Sequence, residues 1–332
     1  MATAERDDNE LSLTKEELEL LWANLKDLPD EDVVSAMDLN DQAYEAFCAG
    51  YLERAAALFA ELHQKLPTYP PYPYMQGMAE KYRRNWQACL DASLTSLKIR
   101  PDGDEASAWN AAIAATALGK WDIARRIWDE LDVEVPGDEG EIRGDFGYIL
   151  LLLNCWGKRE SVYARRIDPV RAEILSIPFP ESGYRRGDII LTDGGYVGHT
   201  HVGDRQFPVM IGLECLQVSD LMTLRVLAVC PEPEDAELLQ VDLSCCGEVE
   251  DLTGSAPCAS ENCPWSDGDW HPGRTFAVAA PDIQSVKEAA YGWQNVAMQR
   301  EVIDVYAADL APLSSPKPGA DNDPTPLWWE VS

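Results

Sequence analysis

The chain has 332 residues, of which 46% are hydrophobic and 26% charged, and this composition excludes a disordered chain and indicates about two domains. Its 58 Asp and Glu residues outnumber its 27 Lys and Arg residues, which gives a formal net charge of −31. A field of this sign repels nucleic acid and anionic membranes and attracts basic proteins, so we expect a basic protein partner and neither nucleic-acid nor membrane binding. Solubility or adaptation to salt is the alternative explanation of the charge.

The N-terminal sequence MATAERDDNELSL has neither the basic region nor the apolar region of a secretory signal. The longest apolar run, FGYILLLLNC at residues 146–155, is about half the length of a membrane-spanning helix. Nine cysteines without a signal indicate reduced thiols rather than disulfides. We therefore expect a cytoplasmic protein.

Residues 1–35 are predicted to contain an N-terminal capping helix. The stretch SLTKEELELLWANLKDL carries leucines at helical spacing. Thr14 is a candidate N-cap, and Glu17, three residues later, would complete a capping box.

Three segments of equal length, 50–67, 84–101 and 119–136, share one pattern. Each has a small residue at its sixth position and ends on a proline, and the three prolines lie 34 and then 35 residues apart. A further helical pattern precedes each segment, most clearly at residues 107–121. A recurring pair of helices is therefore predicted over residues 36–136.

This pattern resembles the tetratricopeptide repeat, whose period is about 34 residues. The second copy departs from it, because Arg84 occupies the corner-glycine place and a proline-rich entry makes its first helix begin late, near Pro73. We interpret residues 137–180 as a degenerate fourth helix pair that caps the array, which would extend the resemblance to about residue 176.

In tetratricopeptide repeats the first helix of each pair lines a concave groove, and the resemblance implies which residues would contact a partner there. They are Asn40, Tyr44 and Phe47 in the first repeat, Tyr74, Met78 and Lys81 in the second, and Trp109, Ile113 and Thr116 in the third. Aromatic residues and Met are favoured at interface centres. The alternative is that several of them form the core between repeats. Only Lys81 and Asn40 suit a clamp for a carboxylate terminus, so no such clamp is expected.

Residues 181–310 change to short β-like runs and are predicted to form a compact β-rich α+β domain. The runs are DIILTD, GYVGHTHVG, QFPVMIGLECLQV, LRVLAVC, LLQVDLSC, RTFAVAA and REVIDVYAA. Asp193-Gly194-Gly195 suits a hairpin turn between the first two, and one helix is predicted after Pro281. Residues 311–332 form a linker-like tail, although its last residues, LWWEVS, could dock back. The predicted fold class is thus an α-helical solenoid followed by an α+β domain.

Two groups of residues could bind a metal. The first contains Cys245, Cys246, Cys258, Cys263 and His271, which could hold a structural zinc, but its spacing lacks the paired Cys-x2-Cys of strong zinc sites. The second contains His199 and His201, which point to one side of a strand, with Asp204 nearby. The alternatives are reduced thiols and exposed hairpin residues. We expect no cofactor, with zinc as the alternative.

Between Pro231 and Trp270 the chain carries eleven acidic residues and no Lys or Arg. Acidic side chains beside aromatic rings suit a basic protein surface. The predicted contacts are Glu248, Glu250, Asp251, Trp265, Asp267, Asp269 and Trp270. A solvated loop, or carboxylates around a cation, is the alternative.

The sequence contains no phosphate-binding glycine loop, no Gly-x-Ser-x-Gly elbow and no His-Glu-x-x-His. We therefore interpret the protein as a non-catalytic binding protein, most concretely a bacterial immunity protein that neutralises a basic toxin, and not as an enzyme. One alternative is a metal-dependent enzyme, or a zinc-stabilised domain, with the repeats as a docking arm. Another is a scaffold or assembly adaptor.

Overall fold

The structure is a computed structural model that describes residues 15–26, 29–100, 104–155, 158–203, 205–253 and 270–313. It divides into two compact units between Arg143 and Gly144. The predicted fold class is confirmed, since the first unit is helical and the second contains two β-sheets with additional helices. Among the described residues, no helix is both long and apolar enough to cross a bilayer.

The described part of the first unit contains seven α-helices. They are α1 (Lys15–Leu25), α2 (Asp30–Cys48), α3 (Leu52–Lys65), α4 (Pro71–Tyr82), α5 (Trp86–Ile99), α6 (Glu105–Ala117) and α7 (Trp121–Glu130). From α2 to α7 each helix packs against the next, and α4 also packs against α6, which is the equivalent helix of the following pair. The helical unit is therefore compatible with a helical repeat.

The corners between the paired helices are alike in backbone geometry. Gly50, Arg84 and Gly119 have φ of +78°, +58° and +65°. At each corner this residue donates its N–H to the carbonyl three residues earlier, and the next residue donates to the carbonyl five residues earlier, all at 2.8–3.0 Å. These bonds define a Schellman helix end, which favours glycine. Arg84 thus adopts the left-handed conformation that its place in the repeat requires.

Helix ends differ from the sequence prediction by a few residues. Helix α1 forms where the capping helix was predicted, but Thr14 and the Glu17 side chain lie outside the described residues. Helix α4 begins at Pro71 instead of near Pro73, because proline is well suited to the first helical position. Helix α7 ends at Glu130, before Pro136, with another Schellman end at Asp132, whose φ is +53°.

The second unit begins with a closed barrel of five strands. These are β1 (Tyr148–Leu153), β2 (Glu160–Arg166), β3 (Arg171–Ile174), β4 (Ile189–Val202) and β5 (Arg205–Gln217), and β1 pairs with β5 in parallel to close the barrel. The prediction of a fourth helix pair at 137–180 is therefore wrong. In β1 alternate residues are buried, and the buried Asp168 accepts the N–H groups of Val170 and Arg171 to fix the turn before β3.

The predicted hairpin turn at Asp193-Gly194-Gly195 is also wrong, because β4 continues through these residues. Its pairing with β5 is irregular between Thr192 and Tyr196, and Gly194 has a φ of +76°, so the glycines permit a bulge inside the strand. The chain reverses after Val202, which pairs with Arg205.

The second sheet contains β6 (Met222–Val229), β7 (Glu248–Asp251), β8 (Gly273–Ala280) and β9 (Glu301–Ala307), in the order β7-β8-β6-β9 with every pair antiparallel. Helix α8 (Pro233–Ser244) connects β6 to β7, and α9 (Ile283–Val296), the predicted helix, connects β8 to β9. This connectivity and order are those of the ferredoxin-like βαββαβ arrangement.

The predicted strand LLQVDLSC is wrong, since it forms the second half of α8. A capping box between Glu232 and Asp235 starts this helix, and its Leu239 and Leu243, one helical turn apart, are fully buried. They join the core beneath β6 and β8.

Gly77 allows α4 and α5 to approach closely, which generates a prediction. A Cβ atom at residue 77 would lie 2.8 Å from Ser93 Oγ, whereas its other neighbours are at 3.6 Å. Ser93 is buried, and its hydroxyl has no hydrogen-bond partner within the described chain. We expect Gly77→Ala to lower the free energy of unfolding by about 1–3 kcal/mol. Ser93→Ala should change it by less than about 0.5 kcal/mol.

The double variant should regain most of this loss, because the clash is removed and alanine favours a helix over glycine by about 1 kcal/mol. Denaturant unfolding of the full chain, analysed as a double-mutant cycle, measures the coupling. If Gly77→Ala lowered the free energy of unfolding equally in the presence and in the absence of the Ser93 hydroxyl, the proposed contact would be contradicted.

Candidate partner-binding surfaces

The residues of α2 that were predicted to line the groove lie on the side of the helix that faces the core. Asn40 and Phe47 are buried, and the Tyr44 ring meets Phe59 of α3 edge-on with ring centroids 5.1 Å apart. These residues pack between helices, which agrees with the alternative that they belong to the core between repeats.

The candidates of α4 are joined to α6 by polar contacts. Lys81 is only 4% exposed, and its Nζ donates to Asn110 Oδ1 over 3.0 Å. Asn110 Nδ2 lies 3.2 Å from the Met78 sulfur, while Tyr74 and Met78 are half-buried. Sequence reasoning missed Asn110, although a buried lysine requires an acceptor of this kind.

The candidates of α6 are also largely internal. Ile113 and Thr116 are buried. Trp109 is half-buried, and its ring meets that of Trp128 in α7 edge-on, with ring centroids 4.8 Å apart. Five of the nine groove candidates are thus buried, namely Asn40, Phe47, Lys81, Ile113 and Thr116. These five expose too little surface in this structure to contact a partner directly.

The opposite side of α2 is exposed and acidic, which the sequence reasoning did not single out. Its residues are spaced three or four apart and therefore share one helix face: Glu31, Val34, Asp38, Asp41 and Glu45. Helix α2 contains no Lys or Arg, and within the described chain none of the four carboxylates is within ion-pair distance of a cation. We call these five residues the acidic face of α2. Its signal in the sequence was the helical spacing of carboxylates without intervening basic residues.

Three acidic residues that the sequence predicted as partner contacts lie in β7, and each has a partner inside the second unit. Glu248 pairs with Arg186 at 3.1 Å, Glu250 Oε1 accepts the Ile177 N–H over 2.9 Å, and Asp251 pairs with Arg274. These bonds attach β7 to neighbouring segments. The three carboxylates therefore have a structural role that the sequence did not reveal.

Of the four remaining predicted contacts in the acidic segment, only Trp270 lies within the described residues. Trp270 donates its indole N–H to the Cys230 carbonyl at 2.8 Å and lies beneath the Arg274 guanidinium. It is thus half-buried against the core of the second sheet. Trp265, Asp267 and Asp269 lie outside the described residues.

Those predicted metal ligands that lie within the described residues are not grouped around a common point. Cys245 is exposed and Cys246 half-buried at the end of α8, and the His271 Nδ1 lies 2.8 Å from the Gly273 carbonyl. His199 and His201 are exposed on β4. Cys258, Cys263 and Asp204 lie outside the described residues. Within the described residues, no group of three or more potential ligands is arranged to bind a metal ion.

Burial disfavours thiolate formation at several cysteines. It raises the pKa of Cys155 to about 11, of Cys215 to about 12 and of Cys230 to about 11, and it also raises the pKa of Cys246. A nucleophilic or metal-binding thiol needs a lowered pKa. These four thiols are thus poorly suited to such chemistry.

A cleft of about 390 Å³ at the start of β2 was not anticipated from the sequence. It is lined by Lys158, Arg159, Glu160, Ser161, Phe179, Glu181 and Ser182. Glu160 Oε1 accepts the Phe179 N–H over 2.9 Å, whereas the buried Oε2 has no hydrogen-bond partner among the described residues. We call this the Glu160 cleft.

The Glu160 carboxylate is held in unfavourable surroundings. Burial raises its pKa most; the Phe179 N–H and the Ser182 hydroxyl act in the opposite direction, and the nearby Glu181 and Glu250 carboxylates raise it further. Raised carboxyl pKa values in a cleft are typical of functional sites.

No protein-family profile, curated protein or solved structure matches this chain.

The role of Glu250 in attaching β7 can be tested by mutation. Glu250→Ala leaves the Ile177 N–H without its acceptor, so we expect a loss of about 1–3 kcal/mol in the free energy of unfolding. The control Glu237→Ala removes a carboxylate from the exposed side of α8 and should change it by less than about 0.5 kcal/mol. Chemical denaturation of both variants makes the comparison. Equal stability of the two variants would refute the structural role of Glu250.

Because the pKa of Glu160 is raised, we expect Glu160→Gln to increase the melting temperature by an amount that depends on pH. A carboxyl group with a raised folded-state pKa destabilises the fold while it is ionised, and this cost disappears as the pH falls below the pKa of the unfolded chain. At pH 7 we expect the variant to unfold about 1–3 °C above the wild type.

The difference in melting temperature should shrink as the pH is lowered towards 4, which thermal scans at several pH values would show. A variant that melts below the wild type at pH 7 would mean that the ionised carboxylate is favourably solvated.

Proposed function

We propose that the protein is a non-catalytic binding protein whose partner is a basic protein, and that the acidic face of α2 is its principal contact surface. From Glu31 to Glu45 this face extends about 21 Å along the helix, at about 1.5 Å per residue. Val34, which is 70% exposed, supplies apolar contact area among the carboxylates. A basic partner would thus find both charge complementarity and a hydrophobic contact.

The distribution of charge along the chain supports this proposal. Residues 1–143 contain 29 Asp and Glu against 14 Lys and Arg, and residues 218–332 contain 20 against 5. The barrel region, 144–217, is nearly neutral, with 9 against 8. The excess negative charge is therefore concentrated outside the barrel, and it would guide a basic protein towards the helical unit or the ferredoxin-like sheet.

The finer form of the proposal is that the partner is a toxic basic protein of the same bacterium, which binding would neutralise. Burial raises the pKa of Cys155, Cys215 and Cys230, which disfavours thiolate chemistry at these three residues. Acidic, non-catalytic inhibitors can neutralise a basic protein by binding it, and we propose the same role here by analogy. A small basic protein encoded beside this chain in its genome is the partner to test first.

A charge-matched pair of variants tests the contact surface. In the first, Glu31, Asp38, Asp41 and Glu45 are replaced by Gln or Asn, and in the control the exposed Asp129, Glu134, Asp138 and Glu139 of the same unit are replaced likewise. Calorimetry with the neighbouring basic protein should show binding that weakens about tenfold or more in the first variant and less than about threefold in the control.

Wild-type affinity should also fall by about tenfold or more between roughly 50 and 200 mM salt. Equal losses in both variants would show that total charge, rather than the acidic face of α2, drives binding. Affinity that does not respond to salt would contradict the electrostatic proposal altogether.

A further inference from the structure

Helix α8 carries a row of exposed side chains in addition to the residues that it buries in the core. Glu234, Leu238, Val241 and Cys245 are spaced four, three and four residues apart, so they share one face of the helix. All four are exposed, with Leu238 at 48% and Val241 at 60%. A single exposed apolar residue is common, but two on successive turns of one helix form an apolar contact surface.

Helix α9 carries an equivalent row with the same spacing. Ser285, Ala289, Gly292 and Val296 share one face, and Val296 is 78% exposed. Gly292 is also exposed, and a Cβ atom at this residue would have no neighbour within 4 Å. The surface of α9 is therefore low and open around Gly292.

The two rows lie on the sides of α8 and α9 that are next to each other. The two helices pack together. At one end of the pair, the Asp235 carbonyl, one turn before Leu238, accepts the Trp293 indole N–H over 2.9 Å. At the other end, Ser285 is close to the Cys246 thiol. The helices therefore run antiparallel, and their rows line the two sides of one groove, which we call the α8–α9 groove.

Negative charge borders the α8–α9 groove. Helix α8 contains four acidic residues and no Lys or Arg, whereas α9 contains one residue of each sign. Asp235 pairs with Arg300. Glu234, Glu237 and Asp242 are exposed, and none of them is within ion-pair distance of a cation in the part of the chain that the structure describes. A ligand with an apolar surface flanked by positive charge would match this groove.

The dimensions of the groove suit a helix as its ligand. The row on α8 extends about 17 Å from Glu234 to Cys245, at about 1.5 Å per residue, which corresponds to about three helical turns. The small side chain of Ala289 and the open position at Gly292 permit the close approach that packed helices require. An amphipathic helix binds such a groove through apolar residues at three- and four-residue spacing.

We infer that the α8–α9 groove binds an amphipathic helix of the basic partner. Its apolar side chains would contact Leu238, Val241 and Val296, and its lysines or arginines would lie beside the carboxylates of α8. This inference rests on the proposed function for the identity of the partner, and it adds a second contact surface to the acidic face of α2. The binding of a basic helix to the groove does not itself depend on that identity.

The inference can be tested on the full chain with synthetic peptides, without any partner. The basic probe is acetyl-LKKLLKLLKKLLKL-amide, whose leucines form one face of a helix. The matched acidic probe has Glu in place of every Lys, which keeps the apolar face and reverses the charge. By fluorescence anisotropy we expect the basic probe to bind with a Kd of about 10–100 μM, and the acidic probe to bind at least about tenfold more weakly.

Two groove variants and one control locate the binding. Leu238→Ser combined with Val241→Ser removes the apolar wall on α8, and Gly292→Leu fills the open position on α9. Each should weaken the basic probe at least about fivefold. The control, Val218→Ser combined with Ile303→Ser, removes two exposed aliphatic side chains from the same unit outside α8 and α9, and it should leave the affinity unchanged. Circular dichroism confirms that each variant is folded.

The inference is overturned if the basic probe does not saturate up to about 1 mM, if the acidic probe binds equally well, or if the folded groove variants bind the basic probe as the wild type does. Its failure is distinguishable from failure of the proposed function. A basic protein that binds through α2 with the same affinity in the groove variants would reject only the groove. Binding of the basic probe in the groove, without any basic protein that binds, would reject the proposed function and retain the groove.

Discussion

Positive charge is scarce in this chain, and the placement of its arginines governs much of the structure. The buried Asp168 pairs with Arg171, and Asp235 pairs with Arg300 at 2.8 Å. Arg125 instead donates to four backbone carbonyls between residues 136 and 141. An unpaired buried carboxylate is strongly destabilising, so cations are needed most where acidic groups leave water. Within the described residues, the exposed acids of α2 are not within ion-pair distance of a cation.

This distribution links folding to the proposed function. A surface carboxylate without a neighbouring cation remains hydrated and contributes little to stability, but it is available to a partner of opposite charge. The acidic residues of β7 illustrate the other case. Glu248, Glu250 and Asp251 have partners within the fold, so their negative charge supports the architecture and is less available for recognition.

The paired helices could be predicted from the sequence because the period, the small residues and the corners all carry a local signal. Gly50 and Gly119 lie at two of the corners, and Arg84 at the third has the same left-handed backbone. The predicted groove was less reliable. The repeat pattern gives the position of a residue along a helix, whereas burial depends on what covers the helix, so Ile113 and Thr116 were not recognised as core residues.

The misassigned segments have a common physical cause. Leucine-rich runs such as that of β1 suit either a helix or a buried strand, and only tertiary pairing decides between them. The run in α8 shows the reverse error, since its preceding capping box was the better guide. The Glu160 cleft could not be predicted, because Glu160 and Phe179 meet only through the fold, and no sequence pattern marks an oxygen that lacks a hydrogen-bond partner.

The two sheets of the second unit differ in how they end. The barrel has no free edge, because β1 pairs with β5, whereas in the described residues the ferredoxin-like sheet ends at β7 and β9. Both terminal strands carry acids, with Glu248 on β7 and the exposed Glu301 and Asp304 on β9. Strand-to-strand association of two identical molecules would bring these like charges together. The exposed acids of β9 thus discourage aggregation through this open sheet edge.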